Sequence, residues 1–487
     1  MKKIFTLAVL ALTLAACNKQ DIQPVEQNDG MITLTATLAP KGAATKALTD
    51  DGDGKLKAEW AVNEKLAILY MVGGERKIAT ATVTEVDASG AATIEFTVDG
   101  STTEGTACTV IYPATAAKGD ATGVKSNADL IGNQPGTLSA DLDVRVTTGT
   151  ISPVTPEAGL VLSTPLAPKY AIVKFSLRDS DETPIFANSL AVTIGTEAFV
   201  ATPTGDLSIF YLALPAVGDG TLIFSVPGDA GTSSYRSSKA ITKSIEAGKF
   251  YRSTVQMTVQ SDNADYVPMG DGLKWATRNV GASAPHEYGD YFAWGETEPY
   301  YRDGYSQESP IADAHWKTGK TGYNWSNYSL ANGAGNKLTK YCDKESYGNE
   351  GFTDALTTLV PADDAATKNL GTPWRMPTIE EWQALLKAED FTWAWVKNFN
   401  GSGTNGRLVI SRKSGVEGNC IFLPAAGYRF DAYLYYTGPN GYYWSSSLLD
   451  TDYPGNAYGL IFNSVIADWD NDIRYYGQSV RPVQTAE

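Results

Sequence analysis

Between residues 31 and 260 the chain switches between apolar and polar positions about every second residue. Ile32, Leu34, Ala36 and Leu38 alternate with Thr33, Thr35 and Thr37, the pattern of a strand with one buried face. Runs of similar character follow at 66–70, 81–86, 93–98 and 171–177, parted by turn residues. Many short strands at this spacing predict all-β architecture of the sandwich type. The Pro-rich passage from Ser152 to Pro168 divides it. We therefore place one β-sandwich subdomain over 31–160 and a second over 161–260.

A polar linker at 261–265 leads into a different pattern. Ile379, Trp382, Leu385 and Leu386 recur at helical spacing. Thr378 stands at the N-cap position with Glu381 three residues later, a reciprocal capping box, so a helix should run to about Lys387. Pro361-Ala362-Asp363-Asp364 opens a second short helix, with Asp363 as its cap and Gly371 as its end. Strands are predicted at 408–410, 420–423, 442–444, 458–462 and 479–481. Helices followed by strands among long loops make residues 266–487 an α+β domain. We read this tail as an independent module that the β-rich front half carries.

A length of 487 residues suits two to four domains. The formal net charge of -16 argues against nucleic acid, because phosphate binding needs clustered Lys and Arg. At the N-terminus, Lys2 and Lys3 precede an apolar stretch, Ile4 to Ala16, too short to span a bilayer. Leu14-Ala15-Ala16-Cys17 resembles a bacterial lipobox. Residues 1–17 are thus expected to be a lipoprotein signal peptide, with Cys17 lipidated and anchored in the outer membrane. Residues 18–30 read as a flexible tether. Of the other cysteines, Cys342 and Cys420 could bridge, or all three could be buried free thiols. Two histidines and no closely spaced cysteine pair disfavour zinc, and no cofactor is expected.

Several local signals for chemistry fall to plainer readings. Asp50-Asp51-Gly52-Asp53-Gly54 looks calcium-like, but Lys55 stands where a loop starting at Asp51 needs an oxygen ligand. Gly401-Ser402-Gly403-Thr404-Asn405-Gly406 fits G-x-G-x-x-G, yet a strand follows it instead of a helix, so it reads as a hairpin loop. Asp468, Asp470 and Asp472 offer oxygen ligands for calcium, with a solvated loop as the preferred reading. Ten of the eleven tryptophans lie beyond residue 265, and tyrosine is dense there too. Tyr433, Tyr435, Tyr436, Tyr442, Trp469, Tyr475 and Tyr476, with Asn440 as a polar partner, are the candidate ligand-binding residues, since such rings stack and hydrogen-bond in recognition. The plain alternative is that half or more of them alternate into the core.

Two resemblances refine this. Trp374-Arg375-Met376-Pro377-Thr378 resembles the signature of the FISUMP (major paralogous) family of the C-type-lectin-like superfamily. Residues 275–282, 289–296, 422–429, 443–447 and 477–483 match its other motifs in order. The superfamily includes formylglycine-generating enzymes, but no cysteine follows Cys420, so the resemblance implies a non-enzymatic module that binds a glycan or protein. The front half is similar to the fimbrillin (Mfa-like) lipoproteins through the lipobox, the early strand, Trp60 to Ile68, Tyr112-Pro113 and Gly248 to Tyr251. That resemblance implies proteolytic removal of the first strand after a basic residue, Lys46 or else Lys41. It also implies donor-strand addition between fimbrial subunits. The function expected from both is a fimbrial tip or accessory adhesin; the alternatives are a surface lipoprotein that never polymerises and, after it, a modifying enzyme of the formylglycine-generating type.

Overall fold

A computed structural model describes residues 27–28, 30–41, 59–139, 142–229, 232–260, 265–449 and 453–485. Cys17 and the rest of the signal peptide, most of the tether, Lys46, the turn at Asp50 to Gly54 and linker residues 261–264 lie outside them. The described chain is mostly β-strand with few helices.

The first sheet contains β1 (Met31–Leu38), β2 (Lys65–Val72), β3 (Glu75–Val86), β4 (Ala92–Asp99), β5 (Thr106–Tyr112), β6 (Arg145–Ile151) and β7 (Leu160–Leu162). Their order is β1-β4-β3-β2-β5-β6, with β7 beside β6 and all pairs antiparallel. The sheet curls until its far end meets β1, where the Gly159 amide donates to the Thr35 carbonyl at 2.9 Å. A Cβ at Gly159 would lie 2.5 Å from that of Leu34, so only glycine permits this approach. Leu34, Ala36 and Leu38 thereby join Trp60, Ile94 and Phe96 in an enclosed core.

β2 is apolar without alternation from Leu66 to Tyr70, because both of its faces are covered. Leu66 and Ile68 point into the first core; Ala67 and Leu69 point into the second. That second core lies between two sheets formed by β8 (Ala171–Arg178), β9 (Leu190–Ile194), β10 (Glu197–Ala201), β11 (Ile209–Leu214), β12 (Thr221–Val226), β13 (Tyr235–Ala240) and β14 (Phe250–Gln256). One sheet is β11-β8-β14, with β14 parallel to β8. The other runs β13-β12-β9-β10, flanked by Thr258–Val259 and by Asn133–Gln134. Phe175 and Phe210 of the first meet Phe199 and Phe224 of the second.

The C-terminal region comprises β15 (Leu273–Ala276), α1 (Ala365–Leu370), α2 (Ile379–Leu385), β16 (Phe391–Val396), β17 (Gly406–Ser411), β18 (Cys420–Pro424), β19 (Tyr428–Phe430), β20 (Tyr433–Tyr435), β21 (Gly441–Leu448), β22 (Asn456–Phe462), β23 (Ala467–Ile473) and β24 (Val483–Thr485). The capping box forms at α2: Thr378 N donates to Glu381 at 2.8 Å while Thr378 Oγ1 accepts from Glu381 N. Both Nη atoms of Arg375 also grip Glu381, at 2.7 and 2.5 Å. Trp382 is fully buried against Trp275, ring centroids 4.8 Å apart. α1 is capped by Asp364, not Asp363; the helix begins at Ala365, and Asp363 is drawn away to Lys340 and Tyr341. Residues 479–481 form no strand. Their polar groups serve the core instead, where buried Arg481 donates to Asn279 and to the carbonyls of Ala276 and Phe422. The expected loop at 468–472 is β23, an edge strand whose polar residues on both faces hid its period.

The tail does not stand apart from the sandwich. β17 is buried at every position: Leu408 and Ile410 face one way, Val409 the other. Val409 faces α2. Leu408 and Ile410, with Val396, Phe399 and Phe422, pack on Ala191, Val200 and Ile223 from β9, β10 and β12. Polar ties flank the seam. Asn133 bonds the Trp395 carbonyl at 2.9 Å and the Lys397 amide at 2.8 Å, and Gln260 bonds both the amide and carbonyl of Cys420.

Candidate ligand-binding face

β19 and β20 form a hairpin that pairs Tyr428 with Tyr435 and Phe430 with Tyr433. Its shape depends on left-handed backbone at Asp431 (φ 47) and Tyr436 (φ 56). Tyr428 is the hub. Its ring stacks on Tyr435 at 5.7 Å and Tyr476 at 5.1 Å, and meets Tyr442 edge-on at 4.9 Å. Tyr433, Tyr435 and Tyr436 remain 48%, 37% and 57% exposed. Asn440 donates to the Tyr442 hydroxyl at 3.3 Å. Tyr475 is buried against Trp325, so it supports the face instead of belonging to it.

Trp469 is exposed but lies elsewhere. Along β23 the side chains of Asp468, Asp470 and Asp472 alternate with those of Trp469 and Asn471, and Trp469 packs edge-on against Tyr458 at 5.6 Å. The acidic side turns toward the tyrosines. Burial and the Asp470 charge push the Asp472 carboxyl up to about 7, opposed by a hydrogen bond from Gln478 at 2.6 Å. Burial, with help from neighbouring tyrosines and Asp472, pushes Tyr428 up to about 12. Asp468 and Asp470 each bind the next backbone amide, at 2.8 Å. Among the described residues, no group of three or more His, Cys, Asp or Glu side chains is arranged to hold a metal.

The raised Asp472 value has a stability consequence. Its carboxyl holds a proton more tightly folded than unfolded, against an ordinary value of 3.8. Its favourable contribution is complete below that value and is lost as pH rises through about 7. Asp472→Asn should therefore raise Tm by a few degrees at pH 8 and leave it unchanged at pH 4. Identical shifts at both pH values would contradict the assignment.

Tyr428 as hub and Gln478 as partner of Asp472 are not marked out among the candidate residues by the sequence pattern. Period two in Tyr428-Arg429-Phe430 was the available signal for the first; only tertiary structure brings the second to β23. Arg429, between the two rings, turns inward: it is fully buried, its Nη2 reaches the carbonyls of Ser306 and Glu308 at 2.7 and 2.9 Å, and it lies over Tyr291 and Tyr301. It fixes the hairpin on the body.

Of the two basic residues named for maturation, Lys41 is described and is caged. Its Nζ lies 4.1 Å from the Trp60 ring centroid, 3.8 Å from that of Tyr112 and 3.2 Å from Glu64. Burial outweighs Glu64 and lowers its pKa to about 8. Arg145 holds the Lys41 carbonyl at 2.8 Å, and Trp60 holds that of Ala39 at 3.0 Å. Trypsin should spare the bond after Lys41 in the folded protein and cut it once Glu64→Ala opens the cage; equal rates would contradict the clamp. Cys108, Cys342 and Cys420 are buried free thiols, so Cys342 and Cys420 form no bridge. Burial raises the thiol pKa of each.

Residues 1–18 match the prokaryotic membrane lipoprotein lipid attachment site, which marks the chain as a lipoprotein. Among the described residues no helix is long and apolar enough to cross a membrane. No curated protein matches the sequence. Among solved structures, a Bacteroides uniformis protein provisionally assigned to cell adhesion aligns at TM-score 0.27 and 14% identity, over 48% of this chain and 97% of its own. A fimbrial assembly protein from Parabacteroides distasonis aligns at 0.28 and 14%, over 46% and 90%. The tip fimbrial protein Mfa3 from Porphyromonas gingivalis, C-terminally truncated, aligns at 0.23 and 10%, over 47% and 97%.

Proposed function

We propose that this lipoprotein is an adhesin of the cell surface, anchored through Cys17 in the outer membrane or carried at a fimbrial tip. Its C-terminal region, of lectin-like type, holds an extracellular glycan or protein. The observation that carries this reading is the tyrosine face: three exposed rings around a half-buried hub, on a hairpin pinned from beneath by a buried arginine. Exposed aromatic groups of this kind serve recognition better than stability. Tyr435→Ala with Tyr436→Ala should abolish capture of ligand in a glycan and matrix-protein screen on the full chain while shifting Tm by less than about 2 °C, as surface changes of about ±0.5 kcal/mol do. Undiminished capture by that double variant would sink the reading.

The fimbrial part rests on the ends of the sandwich. β1 pairs over eight positions with β4 and covers the core with Leu34, Ala36 and Leu38, so a chain lacking β1 would offer a groove for another subunit's strand. β14 is fixed beside β8 and runs within a few residues into the docked tail, so it is not free to be donated. Such a subunit accepts a strand without giving one and belongs at the distal end. Filaments carrying it all along the shaft would contradict that placement.

A further inference from the structure

The tyrosine face combines hydroxyls that can donate and accept with two carboxylates, Asp470 and Asp472, that have no cationic partner among the described residues. The strand register puts Tyr442 and the three aspartates on one face of their sheet: Tyr442 pairs with Ile461 and Ile461 with Asp468, while Gly459 pairs with Asp470 and Ala457 with Asp472. The Asp472 charge accordingly acts on the hydroxyls of Tyr428, Tyr442 and Tyr476. The donor given to Asp472 is a neutral amide, Gln478. Neither Asp470 nor Asp472 forms an ion pair among the described residues, and Arg429, the nearest base along the hairpin, points into the body. β23, which carries both carboxylates, is the edge of its three-stranded sheet, and among the described residues its outer side is unpaired.

We propose that this face binds lysine or arginine side chains of an extended segment of an extracellular protein. The inference deepens the adhesive reading above and rests on it. A guanidinium brings five donors and a flat cation: the carboxylates take its charge, and the tyrosine rings stack against its plane. An extended segment can lie along the open edge of β23 and present alternate side chains to the acidic side. Burial that holds Asp472 near 7 shows what its charge costs without a counter-ion, and an incoming cation removes that cost. A neutral sugar would cover the same carboxylates without pairing them.

The test uses the full chain and a dodecapeptide of alternating arginine and glycine, beside the same peptide with citrulline for arginine. The arginine peptide should bind at least tenfold tighter than the citrulline peptide and weaken as salt is raised. Asp472→Asn, which removes the cost of a buried charge and so folds, should lose at least tenfold in affinity for the arginine peptide alone. Equal binding of the two peptides, or full affinity in Asp472→Asn, overturns the proposal. If Tyr435→Ala with Tyr436→Ala abolishes adhesion while wild type ignores the arginine peptide, this inference fails and the adhesive reading stands. If adhesion is indifferent to those tyrosines, both fail.

Discussion

Residues 262–487 produced alone should self-associate or precipitate, whereas the full chain stays monomeric and unfolds with its tail and second sandwich in one transition. Removing the sandwich bares Val396, Leu408, Ile410 and Phe422 on one face of β16, β17 and β18, together with Phe399 in the turn after β16. Each such side chain is worth about 1.5–3 kcal/mol when fully buried, so the exposed patch strongly favours any apolar cover. It also strands Gln260's partners, the amide and carbonyl of Cys420. Size-exclusion chromatography with light scattering decides it. A monomeric 262–487 fragment with the full chain's tail Tm would show that the seam is incidental.

Arg474→Ala should cost about 3–5 kcal/mol, close to the effect of breaking a buried charge network. Arg474 is fully buried, and its partners are oxygens without formal charge. It donates to the Tyr328 hydroxyl at 3.0 Å and to the carbonyls of Tyr341, Pro454 and Lys340 at 3.0–3.1 Å. Its Cζ lies 4.8 Å from the Trp294 ring centroid. Truncation leaves three carbonyls short of a donor, each costing about 1–3 kcal/mol if water cannot enter, and opens a void between rings. Arg474→Lys should recover less than half, because three donors on a flexible stem cannot match a planar fork. Since Arg474 lies between Ile473 and Tyr475, ligand capture should fall with stability. Urea denaturation of the full chain measures the first effect; a loss below about 1 kcal/mol would contradict this account of the interior.

Period two was enough to find β1, β4 and β8, because each alternates cleanly over a single core. The capping box at Thr378 was legible because its logic is local. The seam was legible only in part. β17 and β18 are apolar at successive positions, the mark of strands covered on both faces, but sequence does not say what covers the second face. β23 was hidden for the opposite reason: an edge strand with Asp on one side and solvent near the other has no apolar period. The tyrosines of the candidate face were found by density and by neighbouring Gly, Asn and Asp. Their sorting into exposed Tyr435 and Tyr436, half-buried Tyr442 and Tyr476, and buried Tyr475 depended on packing that no local pattern encodes.

The most direct measurement is adherence of bacteria displaying the full chain, with display quantified by surface labelling. Tyr435→Ala with Tyr436→Ala should display at wild-type density and fail to adhere, and Cys17→Ala should lose display itself. Full adherence by the tyrosine variant at equal density would contradict the central claim that this face is what the anchored chain presents to its surroundings.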